Sequence, residues 1–384
     1  MIICYTDTNR AINLRWRDEN NLRQEETITD FLPYFFIRRI SKRPTTFKAK
    51  ERVQTNNTSK IVKIDYPFRY EEGNWIDLQK RSLTKVYVGK PGDIPEARKL
   101  WKVTYEADVP FHYRYCIDNL KEIKEYKMRK WYWDMEWLNN DPKHGDAITC
   151  IVVYDNYTEK YNTYTWFPEQ EEKPRFVNPV QNEGKSISYV YFTERQMLEA
   201  FVNDMQSQDP DMLIAWFGLK FDLPKLIERM HYNGLDPRSL SPYNDVKGVY
   251  QDVNKIKLSN VDNYSSIEQP IRGRICLNLD LAFERQWEDA QRGTLPSLAL
   301  DYISEIVLGQ KKLTSEKFPD KNEFFRRGWL EDSERYLEYA VMDVDLIKRI
   351  DEENFTSEAI VALQRLLAAP FDACFYASNM GGIC

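Results

Sequence analysis

Residues 131–137, "WYWDMEW", place two acids inside an aromatic run that is typical of a buried β-strand. Side chains two residues apart in a strand point to the same face, so Asp134 and Glu136 would lie side by side. Burying two unpaired carboxylates is costly. The stretch therefore predicts either a cation next to these acids or a fold in which the segment is not a strand.

Two further acidic features follow along the chain. Asp222 stands in "GLKFDLPKL" at a strand-to-helix junction, and Tyr339 and Asp343 in "EYAVMDVD" have the i, i+4 spacing of one helix face. If the fold brings the four carboxylates together, they repel each other unless cations neutralise them. Mg²⁺ or Mn²⁺ matches an all-carboxylate ligand set, and two such ions about 3.5–4 Å apart stabilise in-line displacement at a phosphodiester.

Each of these features also has a simpler interpretation. Asp-x-Glu pairs are common by chance, and an Asp at the start of a helix is most often only an N-cap. Tyr339 could be a core tyrosine that lies beside a surface acid. The joint occurrence, in this order and with each residue on the expected element, is far more specific than any single part.

The hydrophobic pattern predicts an α/β fold. Strand-like runs lie between 130 and 200, and "TERQMLEAFVNDMQSQDP" follows as a helix capped by Thr193. The strand "DMLIAWFG" and the helix "DLPKLIERMHYNG" come next. This order predicts a ribonuclease H-like mixed sheet with flanking helices. A mixed α/β N-terminal domain, with a helix after Pro95, would precede it. The predicted boundaries are 1–125, 126–352 and a connector at 353–384.

Charge is divided unevenly along the chain. Residues 1–130 contain 27 Lys and Arg against 18 Asp and Glu, whereas the remainder contains 27 against 42. A basic first part and an acidic second part suit contact with phosphate in one place and cation binding in another. The basic stretch from Arg38 to Arg52 is a candidate track for DNA phosphates, beginning with Arg38, Arg39, Lys42 and Arg43. A solvated loop is an equal alternative for this stretch.

Composition excludes several classes of site. The six cysteines are scattered without a Cys-x-x-Cys pair, which favours reduced thiols in a cytoplasmic protein. The three histidines are equally dispersed, which disfavours a histidine metal site. No apolar run reaches membrane-spanning length, and the first residues lack the features of a signal peptide.

The chain resembles the 3′→5′ exonuclease part of family B DNA polymerases, of a phage or viral kind. "WDMEW" is similar to the first exonuclease motif of that family, "FGLKFDLP" to the second and "YAVMDVD" to the third in its tyrosine form. "ICLNLDLAFERQW" followed by "TLPSLALDYISEIVLGQKKL" is similar to the segment ahead of the third motif, and "FLPYFFI" to part of the N-terminal domain. The resemblance covers about residues 10–370.

The resemblance implies a role for each matching residue. Asp134, Glu136 and Asp343 would hold one divalent ion, while Asp134 and Asp222 would hold a second. Tyr339 would orient the attacking water, since a phenol with a pKa near 10 is a poor base at neutral pH. Phe221 would pack against the terminal nucleotides. The implied reaction is proofreading: hydrolysis of the 3′-terminal phosphodiester of DNA with release of a deoxynucleoside monophosphate.

Two departures qualify this resemblance. The second motif usually carries an Asn four or five residues before its Asp, whereas this chain has Gly218 and Phe217 there. Phe217 is therefore a candidate DNA contact of a different kind. Stretches that resemble the metal-binding motifs of the polymerase palm are absent, so the resemblance is to the N-terminal and exonuclease half of such a polymerase. This half would be either a natural split subunit, whose partner is a separate polymerase half, or a truncated piece of a longer chain. The other expected partners are single-stranded DNA 3′ ends and primer–template DNA. A weakly catalytic DNA-binding scaffold and a stand-alone ribonuclease H-like nuclease are the alternatives.

Overall fold

The computed structural model describes residues 3–6, 11–55, 58–121, 123, 125–167, 186–252, 254–265 and 268–375. In these ranges, four of the cysteines are free and buried: Cys116, Cys150, Cys276 and Cys374. None of the helices in the described part of the chain has the length and apolar character that crossing a membrane requires.

The first part of the chain is built from small antiparallel sheets. One sheet contains β1 (Ile3–Thr6), β2 (Ile12–Arg17) and β3 (Arg23–Ile28). The next elements are β4 (Tyr34–Arg38), β5 (Thr46–Thr55), β6 (Thr58–Pro67), β7 (Arg69–Ile76) and β8 (Ser82–Tyr87). Strands β4, β8 and β7 form a second sheet, and β5 pairs with β6 as a hairpin. Phe35, Phe47 and Val86 pack in one core between these strands.

The helix that the sequence predicts after Pro95 is shorter than its pattern. Helix α1 (Ile94–Ala97) continues only as a 3₁₀ turn, Arg98–Leu100. Beyond it, the backbone of Tyr105 exchanges hydrogen bonds with Phe36 of β4. A helical Tyr105 could not pair in this way, so sheet pairing decides where the helix ends. Helix α2 (Phe111–Asn119) follows.

The central sheet contains six strands. These strands and the elements between them are, in chain order, β9 (Lys130–Trp137), β10 (Ile148–Asp155), β11 (Lys160–Thr165), β12 (Ser186–Val190), α3 (Glu194–Gln208), β13 (Met212–Ala215), α4 (Asp222–Tyr232), β14 (Val249–Asp252), β15 (Lys255–Leu258) and β16 (Ile275–Asn278). The strand order is β12-β11-β10-β9-β13-β16. Strands β9, β10 and β11 pair antiparallel, while β13 pairs parallel with both β9 and β16. This confirms the predicted ribonuclease H-like α/β fold.

The last part of the chain is helical: α5 (Leu279–Asp289), α6 (Leu300–Leu308), α7 (Lys321–Glu323), α8 (Trp329–Glu331), α9 (Ser333–Asn354) and α10 (Thr356–Leu367). A π-helical turn, Phe324–Gly328, lies between α7 and α8. The predicted cap of α3 is also present, because the Thr193 hydroxyl accepts the Gln196 N–H at 3.2 Å.

Two hydrophobic cores cover the two faces of the central sheet, and strand β9 contributes to both. Trp131, Trp133 and Met135 pack on the side of α3 and α4. Tyr132 packs on the opposite side, where α9 lies. Because strand side chains alternate between faces, this arrangement directs the even-numbered residues of β9 toward α9.

A buried ion-pair network connects the N-terminal strands to the central sheet. Arg15 and Arg17 of β2 bind Asp209 and Asp211, which lie between α3 and β13, at 2.7 and 2.6 Å. Arg274, just before β16, joins Asp209 from the other side at 2.9 Å. Burial opposes ionisation of Asp209, but the surrounding arginines outweigh it and lower its pKa to about 2. The carboxylate therefore stays charged at neutral pH and holds both parts of the chain.

Candidate active site

Strand β9 and helix α9 bring three acids of the predicted set together. Asp134 and Glu136 lie on the α9 side of β9, and Asp343 lies in the middle of α9. One carboxylate oxygen from each residue lies within 4.8 Å of the other two. Residues 130–137 form a strand, and Asp134 and Glu136 lie on the same face of it, as the two-residue spacing predicts. We call Asp134, Glu136 and Asp343 the acid cluster.

Asp222 lies beside this cluster without belonging to its closest group. It is the first residue of α4 and is 4% exposed. Burial, followed by the charge of Asp134, raises the pKa of Asp222 well above its ordinary value. Asp222 in turn contributes to the raised pKa of Glu136. The fourth predicted acid is thus close enough to interact with Asp134 and Glu136.

The carboxylates of the cluster disfavour each other's ionisation. Burial and the charge of Asp343 raise the pKa of Asp134 to about 7. Burial and the charges of Asp134 and Asp343 raise the pKa of Glu136 well above its ordinary value. Burial likewise raises the pKa of Asp343, although Lys312 opposes the shift. An arrangement of this kind is stabilised by added positive charge.

Lys312 supplies part of this positive charge, and the sequence interpretation missed it. Its Nζ lies 2.6 Å from Asp343 Oδ2 and 3.3 Å from the Tyr339 hydroxyl. Burial lowers the pKa of Lys312, but Asp343 and Asp134 outweigh burial and leave it raised, so the ammonium group remains charged. The only signal in the sequence was "GQKKL", which does not distinguish Lys312 from Lys311.

Tyr339 faces the cluster from the preceding turn of α9. The rings of Phe324 and Phe325, from the π-helical turn, contact its ring edge-on at 5.7 and 5.5 Å between centroids. Burial, together with the charge of Asp343, raises the pKa of the Tyr339 phenol well above its ordinary value. The hydroxyl therefore keeps its proton at neutral pH and can donate a hydrogen bond.

A cleft opens next to the acid cluster. It has a volume of about 680 Å³, and it begins at Glu136 and runs along Trp137 and the loop that follows β9. Its opposite wall contains Asn322, Phe325 and Arg326. Aromatic rings, amides and a guanidinium group in one cleft can contact the bases and phosphates of a nucleic acid.

The loop before Asp222 contains one exposed aromatic ring, that of Phe221, and one half-buried ring, that of Phe217. The Phe221 side chain is 47% exposed, and its ring meets that of Phe217 edge-on at 6.1 Å between centroids. Trp216 is buried instead, and its indole N–H donates to the Leu298 carbonyl at 2.7 Å. Phe217 and Phe221 are therefore the aromatic candidates for substrate contact, and Trp216 belongs to the core.

Comparison with known proteins identifies the domain that carries this site. Residues 127–287 match the exonuclease domain of DNA polymerase family B. The chain is 22% identical to a DNA polymerase of Pyrococcus glycovorans over 95% of its own length and 43% of the relative. It is also 23% identical to a DNA polymerase of Thermococcus sp. strain 9oN-7, over 94% of its own length and 42% of that polymerase. Residues 127–287 therefore form a domain of the family B DNA polymerase exonuclease type.

The chain spans only part of the length of these relatives. The chain covers less than half of the Pyrococcus and Thermococcus polymerases that it matches. The family match includes Asp134, Glu136 and Asp222 but ends before Tyr339 and Asp343. The tertiary structure, in which α9 packs against β9, joins the two later residues to the exonuclease domain.

The contacts found for the four predicted basic residues do not involve these acids. Arg39 and Arg43 both bind Glu72 of β7, and Arg38 Nε donates to the Tyr105 hydroxyl at 3.1 Å. Lys42 is exposed, and its side chain makes no ion pair in the described part of the chain. All the partners found for this group therefore belong to the N-terminal part of the chain and not to the exonuclease domain.

Proposed function

We propose that the exonuclease domain hydrolyses the 3′-terminal phosphodiester of single-stranded DNA in a reaction that depends on Mg²⁺ or Mn²⁺. The acid cluster is the observation that carries this proposal, because three carboxylates that converge within 4.8 Å are suited to a divalent cation. Release of a deoxynucleoside monophosphate from a frayed primer end would make the activity a proofreading one.

The chemistry of the acid cluster fits such ions. Asp343 Oδ1 is buried and has no hydrogen-bond partner among the described residues, which leaves it free as a ligand. Asp134, Glu136 and Asp343 would hold one ion, and Asp134 with Asp222 would hold a second. When bound, the ions supply charge for the phosphate oxygens and lower the pKa of a bound water.

The chain's own side chains position the reactants. Tyr339, which stays protonated, donates a hydrogen bond that orients the attacking water. Lys312 keeps a positive charge within hydrogen-bond distance of Asp343, where it offsets negative charge that develops on the phosphate. Phe217 and Phe221 stack on the terminal bases, and the cleft beside Glu136 receives the unpaired strand. Asp134, Glu136, Asp222, Tyr339 and Asp343 are thus the proposed catalytic set.

One assay separates this proposal from its alternatives. Labelled single-stranded DNA, duplex DNA and RNA are incubated with the protein, with and without Mg²⁺. We expect stepwise loss of nucleotides from the 3′ end of single-stranded DNA, and only when Mg²⁺ is present. DNA binding without degradation would support a scaffold that has lost the activity. Preferred cleavage of RNA or internal sites would support a stand-alone nuclease.

Replacing Lys312 by alanine is expected to lower kcat about 10²-fold, because loss of one group that stabilises transition-state charge has an effect of this size. Lys311→Ala is the matched control. Lys311 is the preceding residue, is exposed and pairs with Glu305. The kcat of both variants is measured on single-stranded DNA at saturating Mg²⁺. Equal activity of the two variants would remove Lys312 from the proposed mechanism.

We also propose that Arg38, Arg39, Lys42 and Arg43 contact DNA phosphates. Exposed ion pairs contribute little stability, so phosphate can compete with Glu72 for Arg39 and Arg43. If all four cations each neutralise one phosphate of a single strand, their replacement by alanine lowers the slope of log K against log salt by about 2.8. A decrease of about 1.4 in this slope would mean that only two of the four cations contact DNA phosphates and that the other two keep their partners in the protein.

Glu72→Ala is the control for this measurement, because it releases Arg39 and Arg43 without removing a cation. We expect tighter binding of single-stranded DNA at low salt in this variant. A salt slope that is the same in the wild type and in the fourfold variant would exclude this group of cations from the DNA interface.

The polymerase relatives suggest a further partner. We propose that residues 1–125 and 126–352 are the N-terminal and exonuclease domains, and that 353–384 connects them to a palm domain on the same or a separate chain. The primer–template duplex would then reach the exonuclease domain from that palm. Footprinting of primer–template DNA on the chain tests this, and absence of protection on the N-terminal domain would contradict it.

A further inference from the structure

The loop between β13 and α4, residues 216–221, has an unusual backbone. Phe217 has a φ of +59°, in the left-handed region that residues with large side chains rarely adopt. Gly218 follows, and a Cβ atom there would lie 2.5 Å from the Cβ of Ala215. The loop is therefore folded tightly against the end of its own strand, and other contacts must maintain that conformation.

Two buried side chains at the junction of β16 and α5 supply these contacts. Asp280 Oδ1 accepts the Phe217 N–H at 3.1 Å, and Asn278 Oδ1 accepts the Leu219 N–H at 2.9 Å. Asp280 is 1% exposed and Asn278 4% exposed. Both lie where β16 ends and α5 begins, outside the three acidic motifs. We call Asp280 and Asn278 the loop clamp.

Further backbone hydrogen bonds connect the start of this loop to the residues on both sides of Asp222. The Phe217 carbonyl accepts the Phe221 N–H at 3.1 Å, and the Gly218 carbonyl accepts the Leu223 N–H at 2.8 Å. The residues before and after Asp222 are thus bonded to Phe217, whose N–H the clamp binds, and to Gly218, which lies between the two clamped residues. A shift of the loop would move the exposed Phe221 ring and the Asp222 carboxylate together.

Burying the carboxylate of Asp280 has a free-energy cost. Its second oxygen, Oδ2, is buried without a hydrogen-bond partner among the described residues. Isolated buried carboxylates are unfavourable, although the first turn of a helix, where Asp280 lies, partly compensates a negative charge. Its position at the start of α5 lets it accept the N–H of Phe217, the residue with the left-handed backbone.

We propose that Asp280 and Asn278 are positioning residues of the exonuclease site: they hold loop 216–221 so that Phe221 meets the terminal base and Asp222 reaches the second cation. This inference rests on the proposed function for its kinetic consequence. Its structural consequence, a loop that loses its conformation when the acceptor is removed, does not depend on that function.

The test compares Asp280→Ala with Asp280→Asn. Asparagine keeps an oxygen that can accept the Phe217 N–H but removes the charge, whereas alanine removes both. We expect hydrogen exchange of the backbone amides in 216–223 to be at least tenfold faster in Asp280→Ala than in the wild type, and near the wild-type rate in Asp280→Asn. On single-stranded DNA, Asp280→Ala should lose about tenfold in kcat/KM, with a raised KM, since one buried hydrogen bond has about this effect.

Asp211→Ala is the control for general destabilisation. Asp211 is also a buried carboxylate that accepts a backbone N–H, from Arg129, but it lies at the other end of β13. We expect it to lower the melting temperature without changing exchange in 216–223 or KM. Should Asp280→Ala fail to fold, Asn278→Ala against Asn278→Asp makes the same comparison at the second acceptor.

Several results would overturn the inference. Unchanged exchange of the loop amides in Asp280→Ala would do so, and so would an Asp280→Asn variant as impaired as Asp280→Ala, since charge and not the acceptor would then matter. If the wild type degrades no DNA, the proposed function fails, and the exchange measurement alone still decides whether the clamp holds the loop.

Discussion

Replacing Asp134 and Glu136 together by alanine is expected to abolish Mg²⁺-dependent degradation of single-stranded DNA. Both residues belong to the acid cluster, so the variant keeps only Asp343 of its three close carboxylates. A bound ion contributes several kcal/mol to the stabilisation of transition-state charge, and about 4 kcal/mol corresponds to about 10³-fold in rate. Loss of nucleotides from a labelled 3′ end, followed over hours, measures an effect of this size.

A matched variant controls for the change in net charge. Glu352 and Glu353 lie near the end of α9, on the same helix as Asp343 but outside the site. Replacing both by alanine removes the same two charges and should leave the rate within about twofold, as expected for exposed residues. Degradation that persists in Asp134→Ala/Glu136→Ala, at a rate close to that of this control, would refute the assignment of the active site.

Without divalent ions, the stability of the protein is expected to fall as the pH rises from about 4 to 8. Asp134 has a pKa of about 7 in the folded protein and about 3.9 when unfolded. The folded state therefore binds more protons in this range, and the stability that the raised pKa provides is lost as the pH passes through it. Since one pKa unit corresponds to about 1.4 kcal/mol, a shift of this size corresponds to on the order of 4 kcal/mol, to which the charge of Asp343 contributes.

Mg²⁺ should reverse this loss above pH 7. An ion that binds the folded state at 100 times its Kd adds about 2.7 kcal/mol. Thermal unfolding in EDTA and in Mg²⁺, from pH 5 to 8, measures both effects. Asp134→Asn should flatten the pH dependence and weaken the response to Mg²⁺. A wild type whose melting temperature is the same at pH 5 and pH 8 in EDTA would contradict the predicted repulsion between the acids.

The local parts of the site could be predicted from the sequence because they follow from backbone geometry. The two-residue period of a strand places Asp134 and Glu136 on one face, and the helical period places Tyr339 one turn before Asp343. Asp222 begins its helix as its sequence context indicates. Each of these predictions needed only the type of element, which strong hydrophobic patterns determine.

Sequence patterns did not indicate the contacts that form where distant residues decide the structure. The helix after Pro95 ends early because Tyr105 pairs with Phe36, about seventy residues away in the chain. The basic residues Arg39 and Arg43 bind Glu72 of a neighbouring strand, a partner that their own stretch does not indicate. In both cases the partner lies on another strand, and strand pairing cannot be determined from periodicity alone.

The sequence by itself determined the fold class, the acids and the face on which each of them lies, since helix and strand periods are local properties of the chain. Only the tertiary structure decided that Lys312 neutralises Asp343, that Phe217 has a left-handed backbone and that Asp280 with Asn278 holds its loop. These contacts join residues 31 to 63 positions apart. They form because packing of α9 and β16 beside the central strands brings them within hydrogen-bond distance.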